Sequence, residues 1–120
     1  MKASLRNKGL GKWGEDQACL FLARQGFKVV ERNYHATVGE IDIVAMKNRD
    51  YYFIEVKTRQ EGYLANDLSI TPQKKYKFQK TIKHYCLKRN LVPEATIFAG
   101  LLVIVNKLTK KVGFRFVVFY

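Results

Sequence analysis

The sequence predicts an α/β fold: a mixed β-sheet flanked by helices, with elements in the order α-β-β-β-α-β-β. Three observations carry that prediction. An amphipathic helical stretch near the start is followed by three strand-like segments separated by short turn signals. A lysine-rich helix signal then opens at Thr71-Pro72, and the chain closes on two apolar, β-branched and aromatic segments. That order is the order of a mixed sheet flanked by helices.

Taken in order, residues 1–11 are polar and basic, with Lys2, Arg6 and Lys8 punctuated by Gly9 and Gly11, and are expected to form a flexible arm. Lys12 to Gln25 places Trp13, Ala18, Phe21 and Leu22 on one side of a helix that Gly26 stops. "FKVVERNY", "EIDIVA" and "YYFIEVKTR" are expected strands, divided by "HATVG" and by the turn signal "MKNRD". Gln60 to Ile70 is polar and irregular, a loop. Thr71 is the expected N-cap and Pro72 the first helical residue of a helix running to about Arg89, ended by Asn90 and Pro93. Its apolar stripe is Phe78, Ile82, Tyr85 and Cys86, with Lys74, Lys77, His84 and Lys88 on another face. "TIFAGLLVIV" and "VGFRFVVFY", joined at "NKLTKK", predict a hairpin buried on both faces.

The 120 residues suit a single domain with one core. No stretch is apolar enough to span a bilayer, and the basic start lacks the apolar region of a secretory signal, so a soluble cytoplasmic protein is expected. Cys19 and Cys86 have neither disulfide-framework nor metal-ligand spacing and are expected as reduced, buried thiols. The net charge of +12 predicts a polyanionic partner. Nucleic acid is the leading class; a membrane partner is not expected, because no basic amphipathic helix or lipidation signal is present. Between Asp67 and Glu94 there is no acid and there are seven Lys/Arg, so one segment supplies much of the charge.

The chemistry concentrates in "VGEIDIVAMKNRDYYFIEVKTR". Strand alternation puts Glu40 and Asp42 on one face, opposite Ile41 and Ile43, and puts Glu55 and Lys57 on one face with Tyr51 and Phe53. If the hairpin turns about Asn48-Arg49, Asp42 stands opposite Glu55 and Glu40 opposite Lys57. Two carboxylates about 5 Å apart repel by roughly 3 kcal/mol at an effective dielectric near 20, so folding alone would not select them. A raised pKa or a divalent cation relieves the repulsion. Oxygen donors without Cys or His point to Mg²⁺ or Mn²⁺, and metal, carboxylates and lysine together make a phosphodiester hydrolase site. The alternative is a solvated Glu55–Lys57 ion pair with Asp42 at a sheet edge.

The order of Gly14-Glu15, Gly39-Glu40-Ile41-Asp42, Phe53-Ile54-Glu55-Val56-Lys57-Thr58-Arg59 and a basic helix near Lys74 resembles the uncharacterised bacterial YraN-type family. That family in turn resembles archaeal Holliday junction resolvases within the PD-(D/E)xK nuclease superfamily. The resemblance covers roughly residues 9 to 90 and implies a restriction-endonuclease-like core. It implies Asp42 and Glu55 as metal ligands, the Val56 carbonyl as a further ligand, Lys57 as the catalytic lysine and Glu15 as the first-helix acid. Glu15 has an alternative reading, an exposed acid favoured by the helix N-terminus. Glu40 matches a family position without an assigned role, or neutralises Lys57. After residue 90 the chain departs from the pattern, with Ala99 where an acid is expected. By the same analogy a homodimer is expected.

The function expected is a metal-dependent endonuclease acting on branched DNA, with Lys74, Lys75, Lys77, Lys80, Lys88 and Arg59 contacting phosphates. Tyr76 and Tyr85 have two readings, base stacking or a core and boundary role. The alternative function is a nucleic-acid-binding module that keeps the fold without turnover.

Overall fold

The computed structural model describes residues 2–62, 70–92 and 95–120, and within residues 2–10 the backbone alone. Helix α1 spans Lys2–Arg24, strands β1 Lys28–Ala36, β2 Gly39–Lys47 and β3 Asp50–Gln60, helix α2 Pro72–Lys88, and strands β4 Thr96–Asn106 and β5 Lys111–Val118. The five strands form one sheet in the order β1-β2-β3-β4-β5. All neighbours are antiparallel except β3 and β4, which run parallel because α2 crosses over between them.

The element order is the expected one. The start of the first helix is not: its backbone is helical from Lys2, so residues 2–11 continue α1 rather than forming an arm. Glycine costs a helix about 1 kcal/mol without forbidding it, and Gly9 and Gly11 were the signal for the break. Most of the loop expected at Gln60–Ile70, and Pro93, lie outside the described residues.

Two apolar layers cover the sheet. Ala18 and Leu22 of α1 pack on Ile43, Ala45, Ile54, Ala99, Leu101 and Val103. On the other face, Ile82 and Tyr85 of α2 pack on Tyr34, Ile41, Val44, Phe53 and Phe98. The apolar stripe of α2 is the one its spacing predicted, with Phe78 stacked on Phe98 at 3.8 Å between ring centres. Thr71 caps the helix by accepting from the Lys74 N–H at 3.1 Å, and Pro72 occupies the first turn. Strand β4 is buried on both faces through Phe98–Val103, as expected of a central strand. Strand β5 is not: it forms the edge of the sheet, so one set of side chains, Phe114 and Phe116 among them, packs inward while Lys111, Gly113 and Arg115 are exposed. Cys19 and Cys86 are free thiols, half-buried.

Candidate functional site

The β2–β3 hairpin turns about Asn48 and Arg49, both at positive φ (54° and 74°), the conformation of a two-residue turn that matches strand twist. The register follows: Lys47 faces Asp50, Val44 faces Phe53 and Ile43 faces Ile54. The ladder ends there. Asp42 does not pair with Glu55 across it; instead its Oδ2 accepts a 2.8 Å hydrogen bond from the Val56 N–H, a side chain standing in for a backbone carbonyl.

Strand β1 is irregular at the same level. Asn33 has φ 54°, a left-handed conformation that Asn tolerates, between the pairs Arg32–Ile43 and Tyr34–Ile41. The alternation of both strands slips at this point. Ile43 packs under α1 and Ile41 under α2, whereas simple alternation had placed them on one face. Arg32 likewise turns to α1 and Tyr34 to α2, where the Tyr34 hydroxyl and His84 Nδ1 share a hydrogen bond. Glu40 is thereby removed from Lys57. Its Oε2 lies 2.8 Å from Nδ1 of His35, its neighbour on β1, and the expected facing of Glu40 and Lys57 does not occur.

Beyond Ile54, β3 still pairs with β4 but is released by β2. Its even-numbered residues present both N–H and C=O to the open edge, since one residue of a strand points both groups the same way. The Val56 N–H is taken by Asp42, and the Thr58 carbonyl accepts from Arg59 Nη1 at 2.9 Å. The Val56 carbonyl therefore faces the opening. Here α1 crosses β3 at a close approach. Gly14 is buried, and a Cβ on it would stand 1.8 Å from Thr58 Oγ1. That contact brings Glu15 beside Asp42, and Glu15, Asp42, Val56, Lys57 and Arg59 line a cleft of about 300 Å³.

The cleft carries both signs of charge, Glu15 and Asp42 with Lys57 and Arg59. Burial pushes the Asp42 carboxyl up to about 6; the Val56 hydrogen bond opposes this, while Glu15, Glu55 and Glu40 add to it. The neighbouring carboxylates thus reinforce the effect of burial on Asp42. Arg32 holds Asp16 at 2.8 Å and Glu15 at 3.5 Å, fixing the first-helix acid against β1. Glu55 is tied to cations, its Oε1 lying 3.5 Å from Lys57 Nζ and 3.9 Å from Lys74 Nζ. Among the described residues no group of three His, Cys, Asp or Glu side chains is preassembled for a metal ion. Asp42, Glu55 and the Val56 carbonyl are hard oxygen donors, and Mg²⁺ characteristically takes one or two carboxylates and fills its shell with water and phosphate oxygens. The donor types suit a cation of that kind, while Glu55 lines the neighbouring pocket beside Lys74 rather than the cleft itself.

The basic residues divide by position. Lys74 joins α2 to Glu55, and Lys77 lines the same side of the helix. Lys80 lies 5.1 Å from the centre of the Tyr76 ring, and Lys75 4.4 Å from that of Tyr120. Arg59 is on the wall of the cleft. Lys88 is fourteen residues along the helix from Lys74, about 20 Å away at 1.5 Å per residue, and is apart from the rest. Arg32, Asn33 and Thr58 were not singled out from sequence. The signals existed: an arginine and an asparagine interrupt an alternating strand, and Thr58 adjoins the acid–lysine motif.

Comparison with known proteins gives a family match over residues 14–117, to a family described as "Uncharacterised protein family UPF0102". It extends through β4 and most of β5, beyond the residue-90 limit of the sequence resemblance. A UPF0102 protein of Campylobacter jejuni subsp. jejuni serotype O:23/36 (strain 81-176) is 44% identical over 81 residues, which is 68% of this chain and 71% of that protein. One from Campylobacter concisus (strain 13826) is 41% identical over 98 residues, 81% of this chain and 84% of its own length. One from Syntrophomonas wolfei subsp. wolfei is 41% identical over 69 residues, 57% and 60% respectively.

Proposed function

The chain belongs to the uncharacterised protein family UPF0102 (YraN), and from that premise we propose that it is a metal-dependent endonuclease acting on branched DNA, with its active site in the Asp42–Lys57 cleft. The observation that carries the reading is the half-buried Asp42 carboxylate, set among three other acids with Lys57 on the same wall. A site for a cation of high charge density accounts for a desolvated carboxylate with three further carboxylates acting on it; folding energetics do not. The similarity of the motif to resolvases of the PD-(D/E)xK superfamily supports the same assignment.

Asp42, Glu55 and the Val56 carbonyl would hold Mg²⁺ or Mn²⁺. The chemistry such an ion supplies when bound is polarisation of a phosphate and acidification of a water. The protein's own part is positional. Lys57, steered by Glu55, places an ammonium on the cleft wall to orient a water or to offset charge developing on the phosphate. Glu15, held by Arg32, keeps a carboxylate beside Asp42 to bind a water or join the ligand set. Lys74, Lys77 and Arg59 draw the phosphate backbone to the cleft without reading sequence. Lys75 and Lys80 extend that positive surface along α2, while Lys88 stands apart at its far end. Cutting both strands of a junction requires two such sites, which a symmetric homodimer supplies. Sedimentation with junction DNA that gives only a monomer would count against the pairing.

The test is cleavage of four-way junctions and flaps by the full chain in Mg²⁺ or Mn²⁺. Asp42→Ala and Lys57→Ala should abolish cutting while junction binding in EDTA persists. The ion pairs that occupy Glu55 favour a second reading, a nucleic-acid-binding module without turnover. Salt-dependent binding with no metal-stimulated cutting of any substrate shape would select it.

A further inference from the structure

Tyr76 and Tyr85 lie on the same helix, and both had been open to a core role. The structure separates them. Tyr85 is buried, 1% exposed, edge-on to Tyr34 and Phe53. Tyr76 is 60% exposed and contributes to no apolar cluster among the described residues. It stands instead in a groove of about 680 Å³ between the β1–β2 turn, at Thr37 and Val38, and the outer face of α2. Lys74, Lys77 and Lys80 line the same groove, and Lys80 lies over the Tyr76 ring. The helix has no acid in its first turn, and the sequence has none between Asp67 and Glu94. At its inner end the groove meets Lys74, 3.9 Å from Glu55.

An exposed aromatic ring among lysines spaced three residues apart joins the two elements of a single-strand site. A cationic track follows the backbone, and a π-face accepts any base. A duplex uses only the first, because its bases are stacked on one another and present no free face. We propose that this groove binds an unpaired stretch of DNA strand, with one base stacked on Tyr76 and phosphates on Lys74, Lys77 and Lys80, and leads that strand toward Glu55, beside the cleft. Only the last clause rests on the nuclease reading; it makes the substrate one with an unpaired arm, such as a flap or an opened junction.

The test measures affinity of the full chain for a mixed-sequence single-stranded oligodeoxynucleotide and for the blunt duplex of the same sequence, in EDTA so that no cutting intervenes. Tyr76→Ala should weaken single-strand binding by roughly ten- to hundredfold, as loss of one stacked base does, and leave duplex affinity within about twofold. Tyr76→Phe should retain single-strand affinity, because it keeps the ring. Lys77→Gln and Lys80→Gln should each weaken both ligands and lessen the salt dependence. Equal weakening of both ligands by Tyr76→Ala, or of neither, would overturn the proposal. So would displacement of the single strand by polyglutamate as readily as by unlabelled strand. These readouts are independent of catalysis: an inactive protein with the Tyr76 discrimination keeps the groove and loses the nuclease, and an active one without it does the reverse.

Discussion

The carboxylate of Asp42 accepts a 2.8 Å hydrogen bond from the backbone N–H of Val56, where the β2–β3 ladder has just ended at Ile43 and Ile54. One side chain thus does two things. It satisfies the first released donor of β3, and it fixes a desolvated carboxylate at the mouth of the cleft that the parting of the strands opens.

That position costs stability, in a pH window set by the shift. The Asp42 carboxyl titrates at 3.8 when unperturbed and is pushed up to about 6 in the fold. Well below pH 3.8 it is protonated in both folded and unfolded chains and costs nothing. As pH rises the unfolded chain ionises first, and above about pH 6 the full penalty applies, about 3 kcal/mol for a two-unit shift. Asp42→Asn keeps a carbonyl to accept from Val56 and carries no charge. Urea unfolding should find it more stable than the parent by roughly 1–3 kcal/mol at pH 8 and indistinguishable at about pH 3. Equal stability at pH 8 would show that Asp42 is not desolvated. On the nuclease proposal the variant should also lose cleavage, stability being given up for function.

Glu15 is the largest of the charges acting on Asp42, after burial and the Val56 hydrogen bond. Glu15→Gln should therefore lower the Asp42 pKa without restoring it to an ordinary carboxylate's, since burial remains. Arg32 keeps Asp16 at 2.8 Å, so α1 stays anchored to β1. Carboxyl NMR titration should place the Asp42 midpoint below that of the parent, and the acid limb of any cleavage profile should move the same way. An unmoved midpoint would mean that Glu15 lies too far from Asp42 to act on it.

Gly14 sets how closely α1 approaches β3. Gly14→Ala gains about 1 kcal/mol of helix propensity but drives a methyl into Thr58 Oγ1, which stands 1.8 Å from the ideal Cβ position. Overpacking of this kind should win, with a net loss of roughly 1–3 kcal/mol by chemical denaturation. Thr58→Ala in the same chain removes the hydroxyl and should recover most of it, so the two substitutions will be strongly non-additive. Additive losses would show that the helix does not meet the strand at this pair.

Much of the fold was legible because its signals are local. The Thr71-Pro72 start of α2, its apolar stripe and the even turn that sets the β2–β3 register each depend on a few neighbouring residues, and each is found as the sequence predicts. Strand β5 was misjudged because an apolar run does not reveal whether a strand is central or at an edge; that depends on which strands flank it. The arm was misjudged because two glycines weaken a helix without ending it.

For the candidate site, the sequence by itself determined which side chains take part: two carboxylates and a lysine on adjoining strands, a glycine–acid pair on the first helix, and a long basic helix. Tertiary structure decided how they meet. In the fold Glu40 pairs with His35 and Asp42 turns to Val56, although period-two alternation had kept these acids together. Contact with α1, seventeen residues distant from Arg32, set Glu15 beside Asp42. Packing against Tyr34 and Phe53 buried Tyr85 and left Tyr76 outside. Alternation and capping act within a few residues and so are written in the local sequence. Burial, charge and facing arise between segments far apart in the chain, and the folded sheet and helices fix them.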